Sequence, residues 1–201
     1  MIISISCFNN NKHIYKSPTR KNMSDVCVSK NKAPNLQVYN ITFNANSTIA
    51  RFSQVDETLY RGSRPEPSQL QELKDIGITT IIDFTTEKFK QENYCEAEQA
   101  KIMGIKHFKI PCVSFENPSD EAVNKFFCII ERAKMNQEKV FIHCFEGRDR
   151  TGLFTELYKI KFGLSDAQTS INNLIKNRYN FTENPLAVYF IKQFANTAKK
   201  V

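Results

Sequence analysis

The sequence predicts an α/β fold in which helices flank a central, mostly parallel sheet. Two observations carry that reading: strand-like and helix-like segments alternate from Phe52 to Cys144, and helical periodicity alone fills the chain after Thr151. A third concerns placement. In such sheets ligands sit beyond the carboxyl ends of the strands, and a cysteine closes the last strand candidate.

Taken in order, residues 1 to about 35 are rich in Asn, Lys and Ser ("NNNKHIYKSPTRKN", "SKNKAPN"). They hold too few clustered apolar residues to offset chain entropy. Residues 1–45 are therefore expected to form a disordered or loosely attached arm, with 46–201 as the folded domain. "LQVYNITF" (Leu36 to Phe43) alternates as an edge strand would, and "FSQVDETLYRG" reads as two short strands around a turn at Asp56 and Glu57. In "PSQLQELKDIG", Ser68 is placed to cap a helix with Leu70, Leu73 and Ile76 at helical spacing, stopped by Gly77. "ITTIIDF" is a buried-strand candidate rich in β-branched residues, Lys88 to Met103 a polar amphipathic helix, and "IKHFKIP" a strand closed by Pro111. Ser119 or Asp120 opens the next helix, whose apolar face is Val123, Phe126, Phe127 and Ile130. "KVFIHC" is the last strand; Thr151–Phe162, Ser165–Asn177 and Pro185–Ala198 are helices.

The totals exclude several classes. At 201 residues, 41% hydrophobic with 16 Phe, the chain supports one core-bearing domain. No apolar run approaches the ~20 residues of a membrane span, and "MIISISCFNN" lacks a basic n-region and a sustained apolar core. A cytoplasmic monomer is the expectation, with export by another route left open. The formal charge of +7 favours anionic partners such as phosphorylated molecules or acidic headgroups. Nucleic acid is not expected, because the lysines are dispersed and no basic stripe is interleaved with aromatics; peripheral contact with acidic membranes stays open. The six cysteines show no C-x-x-C pair and no companion His at metal-ligand spacing. Free thiols in a reducing compartment, without zinc or any other metal or cofactor, is the reading.

The informative stretch is "VFIHCFEGRDRTG", Val140 to Gly152. A strand turns into a helix, and Gly147 allows a close curl in which successive N–H groups form an anion-binding nest. Phe145, Glu146, Gly147, Arg148, Asp149 and Arg150 are the phosphate-binding candidates. The helix beginning near Thr151 adds its positive end, and Arg150 a planar fork for two phosphate oxygens. The same features favour a thiolate at Cys144, which is expected to titrate well below a free cysteine. The chemistry implied is two-step phosphoryl transfer without a metal, with Cys144 as nucleophile and Arg150 and the loop amides stabilising the transition state. Thr151 is placed to donate its hydroxyl to the thiolate. His143 is read as orienting the loop through a backbone hydrogen bond rather than as a base.

H-C-x-x-G-x-x-R-T-G, carried by His143, Cys144, Gly147, Arg150, Thr151 and Gly152, resembles the signature of cysteine-dependent protein tyrosine and dual-specificity phosphatases. "LYRGSRPEPSQLQELKDIGITTIIDFTTE" is similar to the opening of compact bacterial, fungal and plant members, so the resemblance runs from Phe52 to about Asn180. It implies a phosphatase domain over 46–201. The "x-D-R-T-G" ending resembles branches with lipid activity, and those branches draw attention to Asp149 as an acid or orienting group. Arg148 suits a substrate with more than one phosphate, whereas Glu146 puts an anion at the mouth; the two also read as a solvated pair. Phosphorylated proteins, phosphoinositides and inositol phosphates remain open as substrates, with a phosphate-binding module of little turnover as the alternative.

The resemblance also implies a general acid on a loop before the nucleophile, here "PCVSFENPSDEA". Asp120 competes with helix capping, Glu116 sits in a turn that can swing over a substrate, and Asp149 is the third candidate. Glu116 and Asp149 are preferred. Asp83, at the end of "ITTIIDF", either lines the site or ends its strand. Arg61 and Arg64 either reach the phosphate cradle or pair with Glu72 or Glu87. Cys112 is a candidate for a reversible disulfide with Cys144, against the plainer reading of a core cysteine.

Overall fold

A computed structural model describes residues 47–86, 95–114, 116–176 and 185–198. Five strands form one sheet: β1 (Ser53–Gln54), β2 (Leu59–Gly62), β3 (Ile78–Asp83), β4 (Lys106–Lys109) and β5 (Lys139–His143), in the order β1-β2-β5-β3-β4. β5 lies parallel to both β2 and β3, β4 parallel to β3, and only the short β1 runs antiparallel, against β2. The helices are α1 (Gln69–Asp75), α2 (Glu96–Ile102), α3 (Asp120–Met135), α4 (Asp149–Lys161), α5 (Ala167–Lys176) and α6 (Pro185–Ala198).

Side chains alternate across a strand, and here both faces are covered. Ile81 and Phe141 pack with Leu70, Leu73 and Ala100 of α1 and α2. Ile82, Val140 and Ile142 pack on the other side with Phe126, Ile130, Phe154 and Leu157 of α3 and α4. Burial on both faces is why β3 and β5 are almost continuously buried rather than alternating between buried and exposed. The expected α/β architecture is the one observed.

The differences are local. The Ser119 hydroxyl accepts the Ala122 amide at 3.2 Å, so Ser119 caps α3 and Asp120 is its first helical residue. Ser68 occupies the cap position of α1 without a side-chain cap bond. α4 begins at Asp149, not Thr151, which brings Asp149 and Arg150 into its first turn. α5 begins at Ala167, where Asp166 Oδ1 accepts the Thr169 amide at 2.7 Å. The arm, the Leu36–Phe43 strand and the first part of the Lys88–Met103 helix lie outside the described residues.

A polar cluster ties the sheet's edge to α3 and α4. Asp56 Oδ1 accepts the amides of Thr58 and Leu59 at 2.9 and 2.8 Å, and Oδ2 accepts the Tyr158 hydroxyl and Lys134 Nζ. Burial and then the Asp56 carboxylate hold the Tyr158 phenol far above its ordinary range. Asp56→Ala removes the acceptor for these donors at once. Urea unfolding of that variant is expected to show a loss of roughly 1–3 kcal/mol; a midpoint within error of the wild type would mean the cluster adds nothing.

Candidate active site

The carboxyl ends of β2, β5 and β3 lie side by side, with Gly62 and Asp83 each in register with His143. Cys144 follows directly and is 3% exposed. The chain then curls through Phe145–Arg148 into α4, with Gly147 at φ +69°. A methyl group on Gly147 would lie 2.2 Å from the Gly62 carbonyl oxygen, so the loop rests against the backbone at the end of β2.

What sets the loop's shape is a series of donors on its carbonyls. His143 Nδ1 donates to Cys144 O at 3.1 Å and the Arg64 amide to Phe145 O at 3.1 Å. Arg51 Nη1 donates to Glu146 O at 3.2 Å, and Arg61 Nη2 to Gly147 O. The described peptide bonds are all trans, and in a trans peptide the N–H points opposite to the C=O of the same unit. Each pinned carbonyl therefore turns the next amide away from its donor. The amides of Phe145, Glu146, Gly147 and Arg148 are directed in this way, and α4 adds its N-terminal end beside them. Arg61 and Arg64 thus act on the loop's backbone from outside. Glu72 takes the Thr48 amide and hydroxyl at 3.2 and 2.8 Å, and Glu87 lies outside the described residues.

Arg150 is buried behind the loop, its Nη1 donating to Cys112 O at 3.3 Å and Phe84 O at 3.5 Å. Those carbonyls follow β4 and β3, so the guanidinium is held by the neighbouring strands. The Thr151 hydroxyl is fully buried with no hydrogen-bond partner among the described residues; the donation to Cys144 expected from sequence is not made in this resting state. Arg148 pairs with Glu146 at 3.0 Å, both partly exposed, in keeping with the solvated-pair reading. Phe145 is 54% exposed at the mouth.

Of the carboxylates, Asp149 is half-buried in the first turn of α4. Glu116, between β4 and α3, and Asp120, the first residue of α3, are both exposed; the segment before Glu116 is anchored to the site through Cys112, whose carbonyl holds Arg150. Asp83 is buried and accepts the Thr85 amide and hydroxyl at 2.7 and 2.9 Å, with Lys109 Nζ at 3.2 Å. It ends its strand and does so beside His143, whose Nδ1 is 3.9 Å away. Cys112 and Cys144 are both free thiols, and Cys112 Sγ donates to Ile110 O at 3.4 Å. Burial pushes the Cys112 thiol up to about 11, against the pull of Arg150, which makes it a poor partner for thiol exchange.

Sequence reasoning missed Glu96. This α2 residue is 3% exposed, and its Oε1 accepts from His143 Nε2 at 2.8 Å and His107 Nε2 at 3.2 Å, while Arg64 Nε lies 3.3 Å from Oε2. Both His143 nitrogens face acceptors, a carbonyl and a carboxylate, so both carry protons. Burial opposes charge on either member. The His143 imidazole and the hydrogen bonds from His107 and His143 nevertheless hold the Glu96 carboxyl well below the usual carboxylate range. Glu96, and secondarily Asp83 and the Cys144 carbonyl, raise His143 in turn. The Glu96 contribution to stability is present above the ordinary carboxylate range of about 4.3 and lost as pH falls through its lowered value. That of His143 is complete below about 6.5 and lost as pH climbs through its raised value. The pair is intact between.

Glu96, His107 and His143 also bring three donor atoms within 4.8 Å of one another, the one group among the described residues with spacing fit for a metal ion. Their mutual hydrogen bonds, the doubly protonated His143 and the nearby Arg64 cation fit an ion-pair network better. Spacing along the chain could not reveal the group, because its members come from α2, β4 and β5. One signal was legible: Glu96 shares the buried face of α2 with Ala100, four residues on.

Comparison with known proteins agrees with this geometry. PTPMT1 superposes with a TM-score of 0.63 at 17% identity, over 74% of this chain and 96% of that one. The core catalytic domain of the PP-IP phosphatase SIW14 from S. cerevisiae does so at 0.56 and 21%, over 71% and 84%. In sequence, the inositol diphosphatase DSP3 of Arabidopsis thaliana is 27% identical over 107 residues, 51% of this chain and 50% of that protein. The chain thus spans about half the length of the curated relative it matches. The fold and the loop define a member of the cysteine-dependent protein tyrosine and dual-specificity phosphatase superfamily. Within it, residues 28–187 match the family described as DSP-PTPase phosphatase fused to NAD+ kinase, and the chain belongs to that family. Among the described residues no helix is long and apolar enough to cross a membrane.

Proposed function

We propose that this chain is a metal-independent phosphomonoesterase working through a cysteinyl-phosphate, with a catalytic domain that includes residues 46–201. The observation that carries the reading is the loop in which Cys144 is followed by four directed amides and backed by Arg150. Cys144 sulfur attacks phosphorus; the P–O bond breaks, and its electron pair stays on the leaving oxygen, which takes a proton from a carboxylic acid. Water then attacks phosphorus and gives a proton to the carboxylate left by the first step; the P–S bond breaks with its electron pair returning to the Cys144 sulfur, and phosphate departs. The amides of Phe145–Arg148 and the Arg150 guanidinium stabilise the equatorial oxygens in both steps.

For the substrate, inositol phosphates are favoured over phosphoproteins. Arg51 and Arg148 both reach Glu146 at the mouth, one at its carbonyl and one at its carboxylate. A second phosphate on the substrate suits those cations. Similarity to the inositol diphosphatase of Arabidopsis and to the PP-IP phosphatase of yeast supports the same class.

The test is turnover of an aryl phosphate in EDTA, with a rapid quench that adds one phosphoryl group to the peptide carrying Cys144. A panel of inositol phosphates, phosphoinositides and phosphopeptides then ranks substrates by kcat/KM. Binding of phosphate analogues without turnover at any pH from about 5 to 8 would instead mark a docking module. The acid is either Glu116 or Asp149, and leaving groups separate them. Loss of the true acid is expected to slow alkyl phosphates by about 10²–10⁴ and aryl phosphates far less. If neither Glu116→Gln nor Asp149→Asn shows that split, neither residue is the acid.

A further inference from the structure

We propose that Glu96 is the positioning residue of the nucleophile loop. One buried carboxylate holds both His143 and Arg64, the two residues that fix the Cys144 and Phe145 carbonyls, and so directs the Phe145 and Glu146 amides. The linkage is a chain of hydrogen bonds through His143 and an ion pair through Arg64. Glu96 Oε1 takes His143 Nε2 at 2.8 Å, and His143 Nδ1 reaches Cys144 O at 3.1 Å. Glu96 Oε2 lies 3.3 Å from Arg64 Nε, and the Arg64 amide reaches Phe145 O at 3.1 Å. Neutral His143 offers one N–H, which cannot serve the carboxylate and the Cys144 carbonyl together. The Glu96 charge keeps both protons on the ring, and so keeps the donor aimed at the loop.

The carboxylates facing His143 favour that state, and each neighbouring cation is itself paired to one of them. From α2 comes Glu96 itself; from β3, Asp83 Oδ1 stands 3.9 Å from His143 Nδ1; from β4, His107 donates to Glu96 and Lys109 pairs with Asp83. Arg64, after β2, neutralises the far oxygen of Glu96. The Phe141 ring stacks on His143, its centroid 5.9 Å away, and supplies no competing acceptor.

Glu96→Gln preserves shape and a carbonyl acceptor for His143 while removing the charge. The inference rests on the phosphatase reading only for its kinetic readout, where kcat on an aryl phosphate is expected to fall at least about tenfold with KM nearly unchanged. Two other readouts need no turnover. Alkylation of Cys144 by iodoacetamide at pH 7 slows severalfold in the variant, and the His143 ring, followed by NMR, loses its second proton at a lower pH than in the wild type. A folded Glu96→Gln protein with wild-type kcat and alkylation rate overturns the proposal. Should the variant not fold, the wild-type chain decides: His143 doubly protonated at pH 7 supports the proposal, and a neutral ring there overturns it. A wild type without turnover would sink the phosphatase reading while leaving the alkylation and NMR results to judge Glu96.

Discussion

The Cys144→Ser protein is expected to lose aryl phosphate hydrolysis by on the order of 10⁴-fold or more, while still binding an oxyanion such as tungstate. The two halves of that result have separate causes. Turnover needs a sulfur nucleophile, since a serine hydroxyl is a weak one without an adjacent base. The doubly protonated His143 beside it has no lone pair free to act as that base. Binding needs the amides and the guanidinium, and the substitution touches neither. The Cys144, Phe145, Glu146 and Gly147 carbonyls keep their donors, and Arg150 keeps its hold on Cys112 and Phe84. Calorimetry with tungstate beside a phosphate-release assay checks both. Residual turnover above about 1% of wild type would reject Cys144 as the nucleophile. Lost tungstate binding would show that the thiol itself organises the cradle.

The loop was legible in the sequence because its parts are contiguous. A strand, a Cys, a Gly and an Arg at fixed spacing place a nest at a helix start whatever surrounds them. The sheet was legible for a similar reason, since ITTIID and KVFIH place apolar or β-branched residues on both faces and need helices on both. Of the supports of the loop, Arg61 and Arg64 were legible only as candidates beside the cradle, and Arg51 and Glu96 not at all. Arg51, Arg61, Arg64 and Glu96 act on it from positions at least 47 residues away along the chain. Their side chains, or in Arg64 the backbone amide as well, gain meaning only once β2 lies beside β5. The cap of α3 shows the limit at short range: Ser119 and Asp120 are both good caps, and the extended backbone at Ser119 decides between them.

Gly147→Ala is the second large effect expected, and it separates the strain of a backbone conformation from the cost of moving the cradle. The alanine methyl would sit 2.2 Å from Gly62 O and 2.5 Å from the Ser63 nitrogen, both backbone atoms at the end of β2. Neither can swing aside as a side-chain tip does, so the loop itself must lift. Lifting it breaks the Arg61 hold on the Gly147 carbonyl and turns the Arg148 amide. A displacement near 1 Å at the reacting centre costs roughly 10²-fold in kcat/KM. Gly163 supplies the control: its φ of +71° is nearly that of Gly147, but a methyl there meets nothing within 4 Å. Gly163→Ala is expected to lower stability by about 1 kcal/mol and to leave kcat/KM alone. If both variants lose the same stability and neither loses activity, the close approach of Gly147 to β2 does not set the geometry of the phosphate cradle. If only Gly147→Ala loses activity, contact with the end of β2 is what holds the loop at its working height.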